Sequence, residues 1–542
     1  MGAPPAARLG RFGNQTVIVI MSFRTYLILF ISGLILPFVI AQFQPVPGYL
    51  DSAYYFGGGV QLAEGRGFNE PYLWNYLDGT TSLPHPSHTY WMPLASIVSA
   101  LGMWLTGELT YASARFPFII IAAMVVPVTA HLSYLFTQKR DLAIISGLLA
   151  IFSVYHAPFV GVTDNFSLFM LFGGLYFVFA TKLLEDSSRK WYWLLLGLMA
   201  GFLALSRSDG LLWLALTFLF TLFRAPRESV SRFMRYVVQN SLIALVGFLL
   251  IMGPWYMRNV NAFGTFMAPG GSRALWLENY DQTFIYPPEQ LSMESFLALG
   301  WQEIWSHRMW ALGNNLLSGF AAHGSIILFP FILAGILYYR RDERVKLAAL
   351  AWLILFLVMT FIFPFAGARG AFFHAGAALQ PMWWTLAPLG LDEILSSLRK
   401  RNWGNDQTKF VFRSALVMVV IMLTAYVVYL RLFSLGWGDG EEVNYPAAEQ
   451  ILVEHGIQNG DVVIVGNAPA YYLETGRAAV SIPYGGVEAI RAVSEKFGAN
   501  YLVLEPQAAL PQINFLMENP QSNQDFIFLG EVNGIHIFEI EQ

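Results

Sequence analysis

Long apolar segments recur along almost the whole chain, and they constrain the fold more than any other feature of the sequence. About 20 apolar residues cross the hydrocarbon of a bilayer. Only 13% of the 542 residues are charged, about half the share of roughly 25% that is typical of soluble domains. The sequence therefore predicts a polytopic α-helical membrane protein with eleven spans, at residues 24–42, 113–136, 141–158, 165–181, 191–205, 210–223, 236–253, 323–339, 347–364, 371–391 and 410–432.

The distribution of basic residues predicts the orientation of these spans. A twelfth apolar stretch, residues 90–106, is shorter and contains Pro93, so we interpret it as an interfacial helix. With this assignment, 20 of the 32 Lys and Arg residues fall on one side, which the positive-inside rule makes cytoplasmic. The N-terminus is then inside and the C-terminus outside, and residues 1–15 precede an uncleaved signal anchor.

The composition changes after about residue 435. Charge rises there, and runs of β-branched residues alternate with helical patterns at 445–456 and 485–498. This alternation is typical of a small α/β domain. We predict a transmembrane domain over residues 1–435 and an outer-face α/β domain over 436–542, with a structural or acceptor-docking role and with strands at 462–465, 480–482, 501–504, 526–529 and 535–540.

Several classes of function are excluded by composition. The chain has no Cys, which rules out disulfides, zinc–thiolate sites, iron–sulfur clusters and thiol nucleophiles. A net charge of −4 gives no basic excess for binding nucleic acid. The sequence offers no phosphate-loop glycine pattern. We therefore predict no cofactor and no nucleic-acid partner; a divalent metal is left open, without support from any ligand motif.

Ionisable residues are scarce inside the predicted spans and collect in the predicted outer loops. A proton-coupled transporter would need acids and bases at mid-depth in the membrane. The observed pattern suits transfer of a sugar from polyprenyl phosphate, since Arg binds phosphate at headgroup depth and a carboxylate can accept the proton of an acceptor hydroxyl. The candidates in these loops are Asp51, His85, His88, Asp164, Arg207, Asp209, Arg258, Arg369 and His374.

Structural roles are alternatives for several of the charged candidates. Asp51, Asp164 and Asp209 each lie near the start of a predicted helix and could cap it, because Asp is a favoured N-cap residue. Asp209 could also pair with Arg207, which itself could extend to the interface. Arg258 could form a salt bridge within its loop.

The histidines and tyrosines of the first outer loop also have more than one interpretation. His85 and His88 are three residues apart, a spacing that could ligate a metal on a helix, but the prolines on both sides of His85 disfavour a helix. Hydrogen bonding to sugar or phosphate and ordinary loop packing are the alternatives. Tyr54 and Tyr55 could stack on a sugar ring or simply belong to the aromatic belt of the interface.

An ordered set of five segments resembles the GT-C superfamily of membrane glycosyltransferases. The resemblance covers roughly residues 24–392 and is greatest to bacterial members akin to protein O-mannosyltransferases and the lipid A aminoarabinose transferase. Many of these relatives have an Asp-Glu pair where Ser52 follows Asp51 here, so a paired carboxylate or an acid-ligated metal is not implied at this point. The five segments are YLDSAYY (49–55), HPSHTYWMPL (85–94), TDN (163–165), SRSDGLL (206–212) and GPWYMRN (253–259).

The resemblance implies roles for individual positions. Asp51 matches the acid after the first span, which acts in that family as general base or organises the donor sugar. Asp164 matches the acid of the second outer loop. Arg207 stands near the expected lipid phosphate, and Arg258 matches the Arg after a Pro-Trp pair. The family inverts the anomeric centre and uses polyprenyl-phosphate or polyprenyl-diphosphate donors.

Together these observations predict an enzyme of the bacterial inner membrane. It would move one sugar from a polyprenyl phosphate to a protein, lipid or glycan on the outer face, with Asp51 as general base and Asp164 orienting the sugar. Alternatives are a flippase or transporter for lipid-linked glycans, a non-catalytic envelope scaffold, or a glycan ligase or polymerase that uses a diphosphate lipid. The predicted substrate-binding residues are Arg207, Arg258, Arg369, His374, His85, His88, Asp209, Tyr54 and Tyr55.

Overall fold

The computed structural model describes residues 21–186, 188–402, 404–438 and 442–541. The predicted signal-anchor start at residues 1–15 lies outside the described residues. Each of the eleven predicted spans contains a helix. Up to residue 429 the helices are α1 Phe23–Ala41, α2 Leu50–Ala63, α3 Leu94–Thr106, α4 Tyr111–Thr137, α5 Arg140–Ile151, α6 Phe166–Glu185, α7 Trp191–Ser206, α8 Leu211–Arg224, α9 Val230–Phe263, α10 Gly270–Arg273, α11 Met293–Ala298, α12 Trp301–Ser318, α13 Phe329–Tyr338, α14 Glu343–Leu357, α15 Pro364–Ala366, α16 Phe372–Gly376, α17 Gln380–Arg399 and α18 Asp406–Tyr429.

Six helical segments among the described residues are long and apolar enough to cross a bilayer by themselves. They include α1, α4, α6 and α9, together with α14 extended to Ile362 and α18 extended to Ser434. Three further apolar helices, α3, α7 and α13, are shorter. The chain is thus a mostly helical membrane protein, while the count of eleven spans and their orientation stay predictions.

Small residues let the long helices pack closely. A Cβ atom at Gly197 of α7 would lie 1.9 Å from the Ala244 carbonyl oxygen of α9, and one at Gly247 would lie 2.2 Å from the Leu194 oxygen. Such close backbone approach is a common way for helices to associate in lipid, where apolar side chains gain little from leaving the solvent. The fully buried Trp193 of α7 also packs against Tyr236 of α9.

The tail folds around a six-stranded sheet. The strands lie in the order β2 (Tyr72–Leu73), β5 (Ala479–Ser481), β4 (Val463–Val465), β6 (Tyr501–Leu504), β8 (Ile535–Ile540) and β7 (Phe526–Val532). Its central strands β4, β5 and β6 are parallel and buried on both faces, as is typical of sheets covered by helices on each side. The strands of the tail are β4 Val463–Val465, β5 Ala479–Ser481, β6 Tyr501–Leu504, β7 Phe526–Val532 and β8 Ile535–Ile540, and its helices are α19 Tyr445–Glu454, α20 Ala468–Thr475, α21 Gly486–Phe497 and α22 Phe515–Glu518.

The first long connection, residues 42–110, is joined to this sheet. Its strand β2, Tyr72–Leu73, extends the sheet by pairing in parallel with β5. Strands β1 Asn69–Glu70 and β3 His85–Pro86 form a separate antiparallel pair within the connection. The Gly48 N–H donates to a Glu442 carboxylate oxygen at 2.9 Å. The connection and the tail therefore pack as one unit, and the division of the chain at residue 436 stays a prediction.

Candidate active site

The start of α2 carries the first candidate acid. Gly48 has φ +82°, and a Cβ there would lie 2.4 Å from the Trp437 ring nitrogen, so this turn requires glycine. Tyr49 follows in an extended conformation as the N-cap, and Asp51 lies in the first helical turn. The N-cap position belongs to Tyr49, so Asp51 does not have the capping role considered as its alternative. Its side chain is 26% exposed.

Asp164 reaches the same place from the loop between α5 and α6. It is fully buried. One carboxylate oxygen accepts the Asn165 N–H at 2.6 Å, and the other accepts the Tyr49 O–H at 2.7 Å. Asn165, not Asp164, is the N-cap of α6. Because its hydrogen bonds come from both α2 and its own loop, this carboxylate holds the two segments together.

His374 of α16 completes a cluster with the two acids. Its Nε2 lies 3.2 Å from an Asp164 oxygen and 3.9 Å from an Asp51 oxygen. Its Nδ1 lies 3.0 Å from the Gly370 carbonyl oxygen, and its ring stacks on Phe166 at 4.1 Å. Both ring nitrogens thus face oxygen atoms, and the imidazole lies between the two carboxylates.

Burial and neighbouring charges give Asp51 and Asp164 different pKa values. Burial and the neighbouring Asp164 raise the pKa of Asp51 to about 6, against the opposing charges of His374 and Arg207. Burial also acts to raise the pKa of Asp164, but His374 and the hydrogen bond from Tyr49 lower it on balance. Two carboxylates this close titrate as a pair. The arrangement keeps Asp164 ionised and leaves Asp51 able to gain or lose a proton near neutral pH.

Two further loops carry Arg207 and Arg369, the cations predicted to bind substrate next to the acids. Arg207 follows α7 and donates from Nε to an Asp209 oxygen at 2.9 Å, so the pairing considered from sequence is present. Its charge acts on both Asp51 and Asp164. Arg369 lies in a wide helical turn between α15 and α16, and its guanidinium lies 5.3 Å from the centre of the Tyr280 ring. The structure thus brings Arg207 close to the acids.

His85 has a different environment from the cluster. Its Nδ1 contacts Glu70 at 3.3 Å and its Nε2 contacts Asp78, and the His85 side chain is only 4% exposed. Burial acts to lower the pKa of His85, but the bonds to Asp78 and Glu70 raise it to about 9. His85 therefore serves as a buried counter-ion for two acids that hold the first long connection together.

His88 and Arg258 also have partners inside the first long connection. His88 is fully buried and bonds through its ring to Ser87 and Ser96 at 2.7 and 3.0 Å; burial, helped by Arg258, lowers its pKa to about 3. Arg258 donates to the carbonyl oxygens of Phe68 and Ser87 at 3.1 and 2.8 Å. The contacts of His88 fit the loop-packing alternative. Arg258 donates to carbonyl oxygens of the first long connection and not, among the described residues, to an acid of its own loop, which was the alternative considered for it.

Tyr54 and Tyr55 lie behind the acids. Each ring is 1% exposed and packs against Trp91. The Tyr54 hydroxyl oxygen accepts the His88 N–H at 2.8 Å, and the Tyr55 hydroxyl oxygen accepts from the Asn165 side-chain amide at 2.8 Å. Neither ring presents a face on which a sugar could stack. The prediction overlooked Tyr49, whose only signal in the sequence is its position two residues before Asp51.

The cluster also has the composition of a metal site. One ligand atom from each of Asp51, Asp164 and His374 lies within 4.8 Å of the other two. Two carboxylates and an imidazole are ligands that divalent cations such as Zn²⁺ or Mn²⁺ accept. The spacing thus fits a divalent cation, which the sequence alone did not support.

Solved structures share this architecture. The oligosaccharyltransferase of Archaeoglobus fulgidus in complex with Zn and sulfate aligns with 87% of this chain and 67% of that chain, at 13% identity and a TM-score of 0.54. ArnT of Cupriavidus metallidurans aligns over 95% of this chain and 98% of that chain at 13% identity, with TM-scores of 0.51 in the apo state and 0.50 bound to undecaprenyl phosphate. No family model matches the sequence, and no curated protein does. The chain therefore has the fold of the GT-C glycosyltransferases.

Proposed function

We propose that this protein is an inverting glycosyltransferase that moves one sugar from a polyprenyl phosphate to an acceptor on the outer face of the bacterial inner membrane. The observation that carries the proposal is the cluster of Asp51, Asp164 and His374, with Arg207 close by, at the start of the first long connection. The GT-C fold supports it, as does the undecaprenyl phosphate bound to the ArnT neighbour. The donor class is extended from that neighbour to this chain.

The residues have distinct roles in this proposal. The acceptor oxygen attacks C1 of the sugar while the bond from C1 to the phosphate oxygen breaks. Asp51 takes the proton of the acceptor hydroxyl, and the polyprenyl phosphate leaves with the bonding electron pair. Asp164, held ionised, orients Asp51 and the sugar through His374. Arg207 and Arg369 offset the charge that develops on the leaving phosphate. Arg258 positions the first long connection.

The alternative of a lipid-linked glycan flippase has less support. It would need polar groups along a path through the membrane. Within α4, the Arg115 guanidinium donates hydrogen bonds to the carbonyl oxygens of Gly161, Ala41 and Gln44. The His131 ring is hydrogen-bonded to the Tyr26 hydroxyl at 2.8 Å. These side chains have local partners. The acids instead gather at the ends of helices, where a transfer reaction can use them.

A direct test uses the purified full chain in liposomes. We expect undecaprenyl phosphate to bind, as measured by native mass spectrometry. Undecaprenyl-phosphate sugars of several types are then supplied with outer-membrane extract as acceptor. Release of undecaprenyl phosphate that depends on the acceptor supports the proposal. Movement of the intact donor across the bilayer without release would favour the flippase.

The pH dependence of transfer should report Asp51. The pKa of Asp51 is about 6, and only its ionised form can accept a proton. We therefore expect the rate to be constant above pH 7 and to fall about tenfold per pH unit below 6. The donor is a phosphate diester and keeps its charge over this range, so the acid limb belongs to the protein. A flat profile between pH 5 and 8 would contradict the base assignment.

Removing divalent cations with a chelator distinguishes a general-base role of Asp51 from a metal-dependent role of the same cluster. A divalent cation held by Asp51, Asp164 and His374 would offset negative charge on the phosphate. The proposal assigns no metal to the reaction, so we expect transfer to persist in excess EDTA. A parallel sample with added Mn²⁺ serves as the control. Loss of transfer in EDTA with recovery on Mn²⁺ would show that the cluster works as a metal site.

A further inference from the structure

A cavity of about 500 Å³ lies between the start of α2 and the tail sheet. Tyr49 forms part of its wall, and the same Tyr49 donates its O–H to Asp164. Asn467 and Gln507 of the tail also line it, as do Phe284 and Arg431. Its volume is in the range of small-molecule sites. The cavity thus lies directly next to the cluster of acids.

The topology of the tail sheet explains why a cavity forms here. From β4 the chain continues to β5 on one side, and from β6 it continues to β7 and β8 on the other side. The loops that leave the carboxyl ends of β4 and β6 therefore diverge. In doubly wound sheets such a point is where ligands bind. Asn467 follows β4 and Gln507 follows β6, so both residues lie at this point.

The walls of the cavity are fixed by buried hydrogen bonds. Glu505 is fully buried after β6, and its carboxylate accepts the Gly466 N–H at 2.9 Å and the Tyr445 O–H at 2.5 Å. This carboxylate locks the loop after β4 to the loop after β6. On the other side, the bond from the Gly48 N–H to Glu442 ties the start of α2 to the tail. The cavity is consequently preformed.

The chemistry of the lining selects the class of ligand. Asp281 offers acceptors, Arg431 offers donors, and the amides of Asn467 and Gln507 offer both. Sugar hydroxyls also donate and accept, and the apolar face of a sugar ring packs on an aromatic ring such as Phe284. An apolar lipid tail would leave these polar groups unsatisfied.

We propose that this cavity binds a short saccharide, which is the acceptor of the transfer reaction. The role of this saccharide as acceptor rests on the proposed function. A saccharide seated between Tyr49 and the ends of β4 and β6 would lie next to the helical turn that carries Asp51. The tail would then recognise the acceptor, and the helical part would hold the donor.

The test measures saccharide binding without any donor. Saturation-transfer NMR is recorded on the purified full chain with mannobiose, cellobiose and N,N′-diacetylchitobiose. We expect signal from at least one of them, with the wild type and with Asp51→Asn. Gln507→Trp, which narrows the cavity at an exposed wall position, should lose that signal. Gln521→Trp is the matched control, because Gln521 is also exposed on the tail but does not line the cavity.

Several outcomes would overturn the inference. One is the absence of signal from all three disaccharides with the wild type, and another is equal signal from Gln507→Trp and Gln521→Trp. A mixed-sequence nonapeptide that gives a signal sensitive to Gln507→Trp, when the disaccharides give none, would make the cavity a peptide site. None of these measurements involves the donor. The saccharide inference can therefore fail while release of undecaprenyl phosphate still supports the proposed function, and the reverse also holds.

Discussion

Replacing Asp51 by Asn should lower the rate of sugar transfer by about two to four orders of magnitude, the range expected for removal of a general base. Asn has nearly the same shape and retains one oxygen, but it cannot take a proton at neutral pH. Binding of undecaprenyl phosphate should remain, since Asp51 is not a cation. The transfer rate is measured in liposomes with a saturating donor.

Unfolding of Asp51→Asn cannot explain the loss of transfer activity, because the surroundings of Asp51 disfavour its negative charge. Burial and the neighbouring Asp164 raise its pKa to about 6, which means that the folded protein resists its ionisation. The neutral Asn removes this repulsion, so the melting temperature of Asp51→Asn should equal or exceed that of the wild type at pH 7. Asp186→Asn, in an exposed loop, is the control. Full activity of Asp51→Asn would contradict the base assignment.

The length of the apolar segments and the basic residues between them were sufficient to predict spans that each contain a helix. From the sequence, a helix at the start of the first outer loop was considered only as one that Asp51 could cap, and its extent was not predicted, because Gly57, Gly58 and Gly59 disfavour an isolated helix. In the structure these glycines allow close packing, since a Cβ at Gly58 would lie 2.6 Å from the Ser96 hydroxyl of α3. The stability of α2 thus comes from contacts that the local sequence does not show.

The tail sheet was only partly predictable for a similar reason. Strands β4 to β8 lie largely within the runs of β-branched residues that predicted them. Strand β2 has two residues, Tyr72 and Leu73, and lies more than four hundred residues before its partner β5. Two residues carry no periodicity. Its pairing depends on the packing of the first long connection against the tail.

The three residues of the acid cluster were each predicted as site residues from the sequence, but their proximity to one another was not predicted. Asp51, Asp164 and His374 come from three connections, and the stacking of His374 on Phe166 brings the last of them in. The same reasoning selected Arg258 and His85, whose partners are carbonyl oxygens and buried carboxylates. The scarce charged residues near the membrane surface can therefore be identified as candidates from the sequence. Only the structure shows which of them lie in the acid cluster and which stabilise the first long connection.

Replacing Arg207 by Gln should weaken donor binding and also shift the pH profile. Loss of one charge-assisted contact to the lipid phosphate should raise the KM for the donor about tenfold to hundredfold. The charge of Arg207 lowers the pKa of Asp51, so its removal should raise that pKa and move the acid limb of the rate profile to higher pH. Both effects are read from rates at varied donor concentration between pH 5 and 8.

Arg207→Lys separates the two effects. Lys keeps the positive charge, so the acid limb should stay at the wild-type pH, but it lacks the planar guanidinium, so donor affinity should recover only in part. Arg189→Gln, in an exposed loop, is the control for loss of one Arg charge. An unshifted acid limb in Arg207→Gln would mean that Arg207 serves Asp209 alone. A shifted limb with unchanged KM would assign Arg207 to the base and leave the phosphate to Arg369, because only a group that contacts the donor changes its affinity.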